Sequence, residues 1–493
     1  MGIEIDREEF EDADYERFSG RLRDDLCALE RLLARPAFGQ GPKSMGAEVE
    51  LNLVDPDGSP RPVNRAVLAE SLDPRVTLEI NRFNLELNSR PVLFSGAPFS
   101  AFARELGEAL TTLSMAAAQH GARVVTVGIL PTLTEADFGA ATMSDFIRYR
   151  ALSKSLRRLR GEPFTVHIEG PERLVVQLDD VTFEGAATSF QLHLRVAPEE
   201  FASAFNAAQV ATAPALAVSA NSPFFLGRRL WAETRVALFR QAVDHRPTPL
   251  IDDWRPARVS FGHGWVRKGP HELFAESVAL YPPLLPIIGA EDPLACVQEG
   301  GVPTLAELRL HQGTVWSWNR PVYDAAEGGH VRLELRALPA GPTVADMAAN
   351  AAFLLGLTLG LMPDVDRLLP ALTFGHARRN FYQAACHGLD AELLWPDTEG
   401  VGAKTWAARE LVVELIPLAW RGLASVGVAE DETARWLGII EERLRRELTG
   451  ARWQERTVGV LERTRDRKSA LRGMLERYIR NAISGEPVHT WSL

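Results

Sequence analysis

Cysteine is scarce in this sequence, because only Cys27, Cys296 and Cys386 occur among its 493 residues. Three scattered cysteines are too few for a disulfide framework and lack the paired spacing of a zinc ribbon. Their scarcity excludes the small secreted domains that depend on disulfides and indicates a reducing compartment. The first residues also lack the basic and apolar regions of an export signal. We therefore expect a cytoplasmic protein.

Long hydrophobic runs and an excess of positive charge are missing as well. The most apolar stretch, 348–362, is shorter than the roughly 18–20 residues that span a membrane and contains Asn350, so it predicts a buried helix. Lys and Arg number 54 against 65 Asp and Glu, a formal net charge of −11 at pH 7. This charge repels nucleic acid and anionic membranes, and we expect neither as a partner. A homo-oligomer is compatible with the sequence.

The order of patterns along the chain favours an α+β protein with a mostly antiparallel sheet. Between residues 46 and 196, short alternating stretches predict strands, which are grouped rather than separated by regular helices. Residues 246–305 are rich in Pro and Gly, which predicts a lid or a set of binding loops. Helical spacing predicts helices over 9–36, near 99–120 and 143–158, over most of 197–243, and over nearly everything from 343 onward.

Four of the predicted strands combine an apolar face with a polar face. They lie in MGAEVELNLVD, RFNLELNSRP, TSFQLHLRV and GHVRLELRALPAGPT. Their polar faces carry Glu48, Glu50, Asn52, Asn84, Glu86, Asn88, Ser189, Gln191, His193, Arg195, Arg332, Glu334 and Arg336.

The commonest explanation for such alternation is a sheet that is covered on one side and wet on the other. The residue types argue for more, because Glu and Asn are depleted in strands and His is not favoured there. Four carboxylates and one imidazole on a single face would repel one another unless cations lay between them. Carboxylate oxygens with one imidazole suit Mg²⁺ or Mn²⁺ better than zinc.

The arginines of the last strand allow two interpretations. Guanidinium groups match phosphate or carboxylate oxygens and offset the charge that develops during phosphoryl transfer. The alternative is a cross-strand ion pair with Glu334.

Seven segments in order along the chain resemble the glutamate-cysteine ligase family 2, carboxylate–amine ligases with a glutamine synthetase-like fold. The segments are GAEVEL (46–51), FNLELNSRP (83–91), FQLHLRV (190–196), ANSPFFLGR (220–228), LHQGTVWSWNRPVYD (310–324), VRLELRALPAGPT (331–343) and RNFYQAACHGLDAEL (379–393).

The resemblance implies a curved, mostly antiparallel sheet whose concave face holds Mg²⁺, or Mn²⁺, between ATP and an amino-acid carboxylate. We assign this catalytic domain, with its N-terminal helix, to residues 1–363 and a helical region packed on it to 364–493, which is longer than the C-terminal region of compact family members. Carried over residue by residue, the resemblance implies the metal ligands Glu48, Glu50, Glu86, His193 and Glu334. It also implies Arg336, Glu334 and Glu50 as catalytic residues, Arg336 and Arg332 as nucleotide ligands, and Arg235 and Glu86 as contacts for the amino-acid substrates.

The implied reaction is ATP-dependent amide formation through an acyl phosphate, most plausibly between the γ-carboxylate of glutamate and the amino group of cysteine. It needs no protein nucleophile, which agrees with a sequence that has no evident Ser-His-Asp or Cys-His arrangement, no GxxxxGK[ST] loop and no HExxH helix. A metal-dependent amidohydrolase and a degenerate ligase that acts as a nucleotide or amino-acid sensor are the alternatives.

Two positions leave the site incompletely defined. Gln191 stands where many members of the family carry a second His, so fewer metal ligands are expected here. Glu79 has the opposite parity to Glu86 and reaches the same face only through a bulge or a bend.

Overall fold

The computed structural model describes residues 5–247, 255–397 and 402–493, so part of the predicted loop region, 248–254, lies outside the described residues. The strands are β1 (Ser44–Val54), β2 (Val76–Leu78), β3 (Asn84–Asn88), β4 (Val92–Leu93), β5 (Arg123–Val125), β6 (Phe164–Glu169), β7 (Arg173–Leu178), β8 (Phe190–Arg195), β9 (Phe224–Phe225), β10 (Arg228–Arg229), β11 (Asn319–Asp324), β12 (His330–Leu335), β13 (Glu392–Pro396) and β14 (Ala403–Ala407).

The helices alternate with these strands in irregular order. They are α1 (Asp12–Leu33), α2 (Asn64–Ser71), α3 (Pro98–Gln119), α4 (Ile147–Arg160), α5 (Phe201–Ser219), α6 (Thr234–Ala242), α7 (Pro270–Leu280), α8 (Pro293–Gln298), α9 (Ala306–Gln312), α10 (Val344–Leu361), α11 (Val365–Leu368), α12 (Phe374–His387), α13 (Ala408–Ser425), α14 (Glu430–Arg445), α15 (Gly450–Leu461) and α16 (Arg467–Ser484).

The main sheet has the strand order β11-β12-β8-β1-β3-β2, and β4 and β5 also pair with β1. Every pairing within it is antiparallel. The predicted α+β class with an antiparallel sheet is therefore confirmed. The four strands with polar faces lie side by side in the order β12, β8, β1 and β3, although they are far apart in the sequence.

The apolar face of this sheet packs against helices. Leu51, Leu192 and Leu333 are fully buried, and Phe102 of α3 stacks on Phe190 of β8 with ring centroids 5.8 Å apart. Burying these side chains is the main driving force for closing the sheet onto the helices. Because side chains alternate along a strand, the polar residues must lie on the opposite face.

The apolar run at 348–362 forms most of α10, which is buried as expected. Two helical stretches, Pro198–Ser219 and Val344–Leu368, are long and apolar enough to cross a membrane, but 89% and 83% of their apolar windows are buried inside the protein. Core helices of soluble proteins meet the same length and composition criteria, so the two stretches are weak evidence for membrane insertion.

The C-terminal helices pack on the rest of the protein through buried polar contacts. Arg443 of α14 forms an ion pair of 2.8 Å with Asp346 of α10, and the Tyr478 hydroxyl of α16 donates to the Thr126 carbonyl at 2.9 Å. The apolar core is continuous across residue 363. The division of the chain at this residue stays a prediction.

Three expectations about local structure were incomplete. The C-terminal region was expected to be nearly all helical, but it contains the hairpin β13–β14. The described part of 246–305 contains the helices α7 and α8 between its loops. Hairpin β6–β7 forms a separate two-stranded sheet.

Candidate active site

The register of the sheet brings the predicted site residues onto one face. Glu334 of β12 pairs with His193 of β8, and Glu50 of β1 pairs with Glu86 of β3. Glu48 is two residues from Glu50, so its side chain lies on the same face. The five predicted metal ligands therefore share one surface that crosses four strands.

Glu48, His193 and Glu334 form the most compact group on this face. Each offers a ligand atom, and these atoms lie within 4.8 Å of one another. The Nε2 atom of His193 is 3.0 Å from the Glu48 carboxylate. Burial alone would raise the pKa of the Glu48 carboxyl, but the adjacent His193 imidazole lowers that pKa to about 2. The ionised carboxylate of Glu48 is therefore ready to bind a cation.

Glu334 is held by two arginines. Its carboxylate accepts a hydrogen bond from Nε of Arg320 on β11 and another, at 3.0 Å, from Nη1 of Arg336. Burial opposes ionisation, but Arg320 and Arg336 keep the pKa of Glu334 well below its usual range. Arg336 therefore forms an ion pair with Glu334, two residues before it in the chain, whereas the cross-strand ion pair of Glu334 is with Arg320. Contact of Arg336 with phosphate stays a prediction. Arg320, which the strand patterns in the sequence had not marked, is also a residue of this face.

Gln191 connects two of the predicted catalytic residues. Its Nε2 donates to the Glu50 carboxylate at 3.1 Å, and its Oε1 accepts from Arg336. The Ser189 backbone N–H donates to the other oxygen of Glu50 at 2.7 Å. An amide side chain at position 191 thus orients a carboxylate and a guanidinium at the same time, which an imidazole could do only in one tautomer.

At the β2–β3 end of the face, negative charge is poorly compensated. Burial and the neighbouring Glu48 raise the pKa of Glu86 to about 8. Burial, followed by repulsion from Glu86, raises the pKa of Glu79 well above its usual range. Burial and the nearby Glu50 likewise raise the pKa of Glu184 to about 8. The raised pKa values mean that too little positive charge lies near these three buried carboxyl groups to keep them ionised.

Two of these acids could not be assigned from strand alternation. Glu79 follows the last residue of β2, Leu78, so the parity of that strand does not restrict it. Glu184 begins a short 3-10 turn, Glu184–Ala186, ahead of β8, and no sequence pattern marks it. Arg148 of α4 was missed as well; it increases the positive charge near Glu79 and donates to the Tyr149 hydroxyl at 3.0 Å.

Arg332 lies on the polar face beside His193, at the margin of the predicted metal ligands. Its Nε donates to Nδ1 of His193 at 3.2 Å, and its Nη1 forms an ion pair of 2.9 Å with Asp324. It therefore fixes the orientation of the His193 ring in this arrangement. Nucleotide binding by Arg332 stays a prediction.

Arg235 lies behind the polar face. Only 1% of its side chain is exposed, its Nε pairs with Glu233 at 3.0 Å, and its Nη2 donates to the Ala337 carbonyl. The guanidinium also lies 5.6 Å from the Trp318 ring. In this geometry Arg235 supports the segment that follows Arg336, and contact with a substrate carboxylate stays a prediction.

The residues present fit a hard divalent cation. The donors are carboxylate oxygens and one imidazole, the set that Mg²⁺ and Mn²⁺ accept, whereas a zinc site would normally contain Cys or several His. The raised pKa values of Glu79, Glu86 and Glu184 show that these buried acids lack compensating charge. A bound cation would supply that charge.

Comparison with known proteins identifies the relatives of this chain. The sequence model described as Glutamate-cysteine ligase family 2 matches residues 44–478. The fold is similar to that of the crystal structure of glutamate–cysteine ligase from Francisella tularensis in complex with AMP, which is 12% identical. That match covers 91% of this chain and 90% of the other, with a TM-score of 0.56.

A bifunctional glutathione synthetase from Pasteurella multocida is also 12% identical; the match covers 94% of this chain and 55% of that chain, with a TM-score of 0.47. No curated protein sequence matches the chain. The expected glutamine synthetase-like fold, with its curved antiparallel sheet, is confirmed.

Proposed function

Because the chain belongs to the glutamate-cysteine ligase family 2 and is a carboxylate–amine ligase, we propose that it joins the γ-carboxylate of glutamate to the amino group of cysteine, using ATP and Mg²⁺. The observation that carries this proposal is the shared sheet face, where buried carboxylates lie next to Arg320 and Arg336. This combination suits phosphoryl transfer to a carboxylate, because both the reactants and the products are anions that need nearby positive charge.

The first step of the proposed reaction forms an acyl phosphate. A γ-carboxylate oxygen of glutamate attacks the terminal phosphorus of ATP, and the bond to the ADP oxygen breaks. Arg336 can offset the charge on the transferred phosphoryl group, since Glu334 keeps the pKa of Arg336 above its usual range in spite of burial. Mg²⁺, held by Glu48, Glu50, Glu86, His193 and Glu334, would supply the further charge neutralisation that this chemistry needs.

The second step forms the amide. The amine nitrogen attacks the acyl carbon, inorganic phosphate leaves, and the nitrogen loses a proton. Gln191 holds Glu50 and Arg336 in fixed positions through both steps, so the face is preorganised before substrates bind. The protein supplies no nucleophile in this scheme, and its residues bind, orient and neutralise the reactants.

The test is ADP release by the purified protein with ATP, Mg²⁺ and glutamate, in the presence of cysteine or other amines. We expect ADP formation to require both a carboxylate and an amine, with γ-glutamylcysteine found by mass spectrometry. Glu48→Gln should abolish turnover, whereas Glu441→Gln, at an exposed position on α14, should not. ADP formation with another amine would correct the substrate, and amide hydrolysis without ATP would replace the ligase by the amidohydrolase.

The proposal also concerns the pathway, the partners and the cellular location of the enzyme. A product of glutamate and cysteine would belong to glutathione biosynthesis, and its free thiol fits a cytoplasmic enzyme. We propose small amino acids as its partners, with no nucleic acid or membrane. Fractionation of expressing cells, with the thiol product measured in each fraction, tests the location, and recovery in the membrane fraction would contradict it.

A further inference from the structure

A narrow cleft lies at the β11 edge of the main sheet, the opposite edge from β2 and its uncompensated acids. Its walls come from α5, from α7, from the end of α9, from β11 and from the loop at 262–264. Arg320 connects the cleft to the polar face, because it lines the cleft while its Nε donates to the Glu334 carboxylate. The free space is about 20 Å³, which holds one group of the size of a water molecule or an amino group.

The loop in this cleft carries His263, which has a glycine on each side. Gly262 has a φ of +107°, a conformation that residues with a side chain rarely adopt. Two residues of α5 hold the ends of the loop. Gln209 donates to the carbonyl of the residue before Gly262 at 2.7 Å, and Asn206 binds the carbonyl and the N–H of Val266 at 2.8 Å and 2.9 Å. The backbone therefore holds His263 in a defined position in the cleft.

Hydrogen bonds select one tautomer of the His263 imidazole. Its Nε2 is 3.0 Å from the Tyr281 hydroxyl oxygen, and that hydroxyl donates its one proton to the Ala257 carbonyl at 3.2 Å. Because the hydroxyl proton is used there, Nε2 is the protonated nitrogen and donates to Tyr281. Nδ1 therefore carries a lone pair, and no residue within 5–247, 255–397 and 402–493 forms a hydrogen bond with it.

The surroundings of His263 favour the neutral imidazole. Desolvation by the cleft, followed by the positive charge of Arg378 on α12, lowers the pKa of His263 below its usual value of 6.5. Glu276 of α7 and Arg320 also line the cleft. At pH 7 the ring is therefore neutral and Nδ1 can accept a proton.

We propose that His263 is the general base of the amide-forming step and that the cleft receives the amino group of the amine substrate. This inference rests on the proposed ligase reaction, in which the amine nitrogen must lose a proton. In that reaction the acids of the polar face hold the cation or pair with arginines, and none of them is assigned to take this proton. The cleft offers a neutral base next to Arg320, the arginine that holds Glu334.

The proton follows a defined route in this step. The neutral form of the amine makes an N–C bond to the acyl carbon, and the C–O bond to phosphate breaks with its electron pair on phosphate. One N–H bond breaks, and its proton passes to Nδ1 of His263. The imidazolium then releases the proton to solvent, to which His263 is exposed.

The test compares two amines in the ADP-release assay. The first is the amine substrate that supports ADP release, L-cysteine in the proposed reaction, and the second is hydroxylamine. Hydroxylamine is largely unprotonated at pH 7, and its adduct is acidic enough to lose a proton to water. Because general-base catalysis contributes about 10²–10⁴-fold, His263→Gln should lower turnover at least about 100-fold with the amine substrate and less than about 10-fold with hydroxylamine. His387→Gln makes the same change at an exposed position at the end of α12 and should alter neither rate.

A pH series separates a proton acceptor from a structural residue. The ratio of wild-type to His263→Gln turnover with the amine substrate should fall as the pH drops below the pKa of His263, since imidazolium accepts no proton. The ionisation of the amine cancels in this ratio. The charged and titratable groups around His263, which are Tyr281, Glu276, Arg320 and Arg378, are present in both proteins.

Tyr281→Phe provides a second variant that keeps the imidazole and decides the matter if His263→Gln does not fold. It removes the acceptor that keeps the proton on Nε2, and it should lower turnover with the amine substrate at least about 3-fold while sparing hydroxylamine.

Three results would overturn the proposal: unchanged turnover in His263→Gln, an equal loss with both amines at an unchanged Tm, or a loss confined to the amine substrate in Glu276→Gln but not in His263→Gln. The last result would assign the proton to Glu276. Failure of the ligase reaction itself is distinct from these, because the wild type would then release no ADP with any amine.

Discussion

Replacing Glu334 by glutamine is expected to lower both activity and stability, whereas the same replacement at Glu48 should lower activity as much but stability less. The two residues belong to the same group of metal donors, but their surroundings differ. Only 4% of the Glu334 side chain is exposed, and it pairs with both Arg320 and Arg336. Glu48 is 14% exposed and its hydrogen-bond partner is His193.

The expected loss of unfolding free energy follows from these contacts. Breaking a buried ion pair by removing one partner costs about 3–5 kcal/mol, and a glutamine that still accepts one hydrogen bond should recover part of it, leaving about 2–4 kcal/mol for Glu334→Gln. With an unfolding entropy of about 2.1 cal/mol/K per residue, a cooperative unit of 493 residues loses about 1 °C of Tm per kcal/mol. Glu334→Gln should therefore lower Tm by about 2–4 °C. Glu48→Gln loses one charged partner rather than two and keeps a hydrogen-bonding group next to His193, so it should lower Tm by less than Glu334→Gln does.

Activity and Tm should be measured on the same preparations, by ADP release and by calorimetry without metal. Both variants should lose at least about 100-fold in turnover, because each lacks a charged group that acts on the transferred phosphate through a bound cation. Glu327→Gln, at a residue whose side chain is 73% exposed, is the control for both measurements. Near-normal turnover with an unchanged Mg²⁺ requirement in Glu48→Gln would refute the site, and an unchanged Tm in Glu334→Gln would refute the energetic argument.

Three further predictions follow from buried charges. Burial raises the pKa of Asp25 from its usual value of 3.8 to about 7. The stability that protonated Asp25 contributes is therefore complete below about pH 4 and is lost as the pH rises through 7. Asp25→Asn should have a Tm about 1–3 °C above that of the wild type at pH 8 and the same Tm at pH 4. Burial raises the pKa of Glu86 to about 8, so Mg²⁺ binding at pH 7 should release protons. Calorimetry in two buffers of different ionisation enthalpy would detect this release, and an equal binding heat in both buffers would contradict it. Arg443→Met leaves Asp346 charged and buried and should cost about 3–5 kcal/mol of unfolding free energy, and a cost below about 1 kcal/mol would show that Asp346 is stabilised otherwise.

Strand alternation made most of the sheet face predictable. A period of two residues places Glu48 and Glu50 on one side whatever surrounds them, and the apolar residues between them determine which side faces the core. The same reasoning applied to Glu86, His193 and Glu334, and the structure brings all five onto one face. Helical spacing similarly predicted α1, α3 and α4 to within a few residues.

Residues outside regular strands could not be predicted in this way. Glu79 and Glu184 reach the site from the end of a strand and from a short turn, where no period restricts a side chain. Arg148 contributes from a helix. The hairpin β13–β14 was also missed. The Asn380 side-chain amide of α12 donates to the Leu394 carbonyl and accepts from the Leu394 N–H, a contact that only the folded chain makes.

The sequence by itself determined the chemistry of the face, because local alternation along each strand depends only on the backbone and on which side chains are apolar. The tertiary structure decided which charges meet. Arg320 pairs with Glu334 because β11 is the neighbour of β12, and Arg235 is buried with Glu233 behind the face. Those partners come from distant elements, and their distances, burial and pKa values arise only when the sheet closes on its helices.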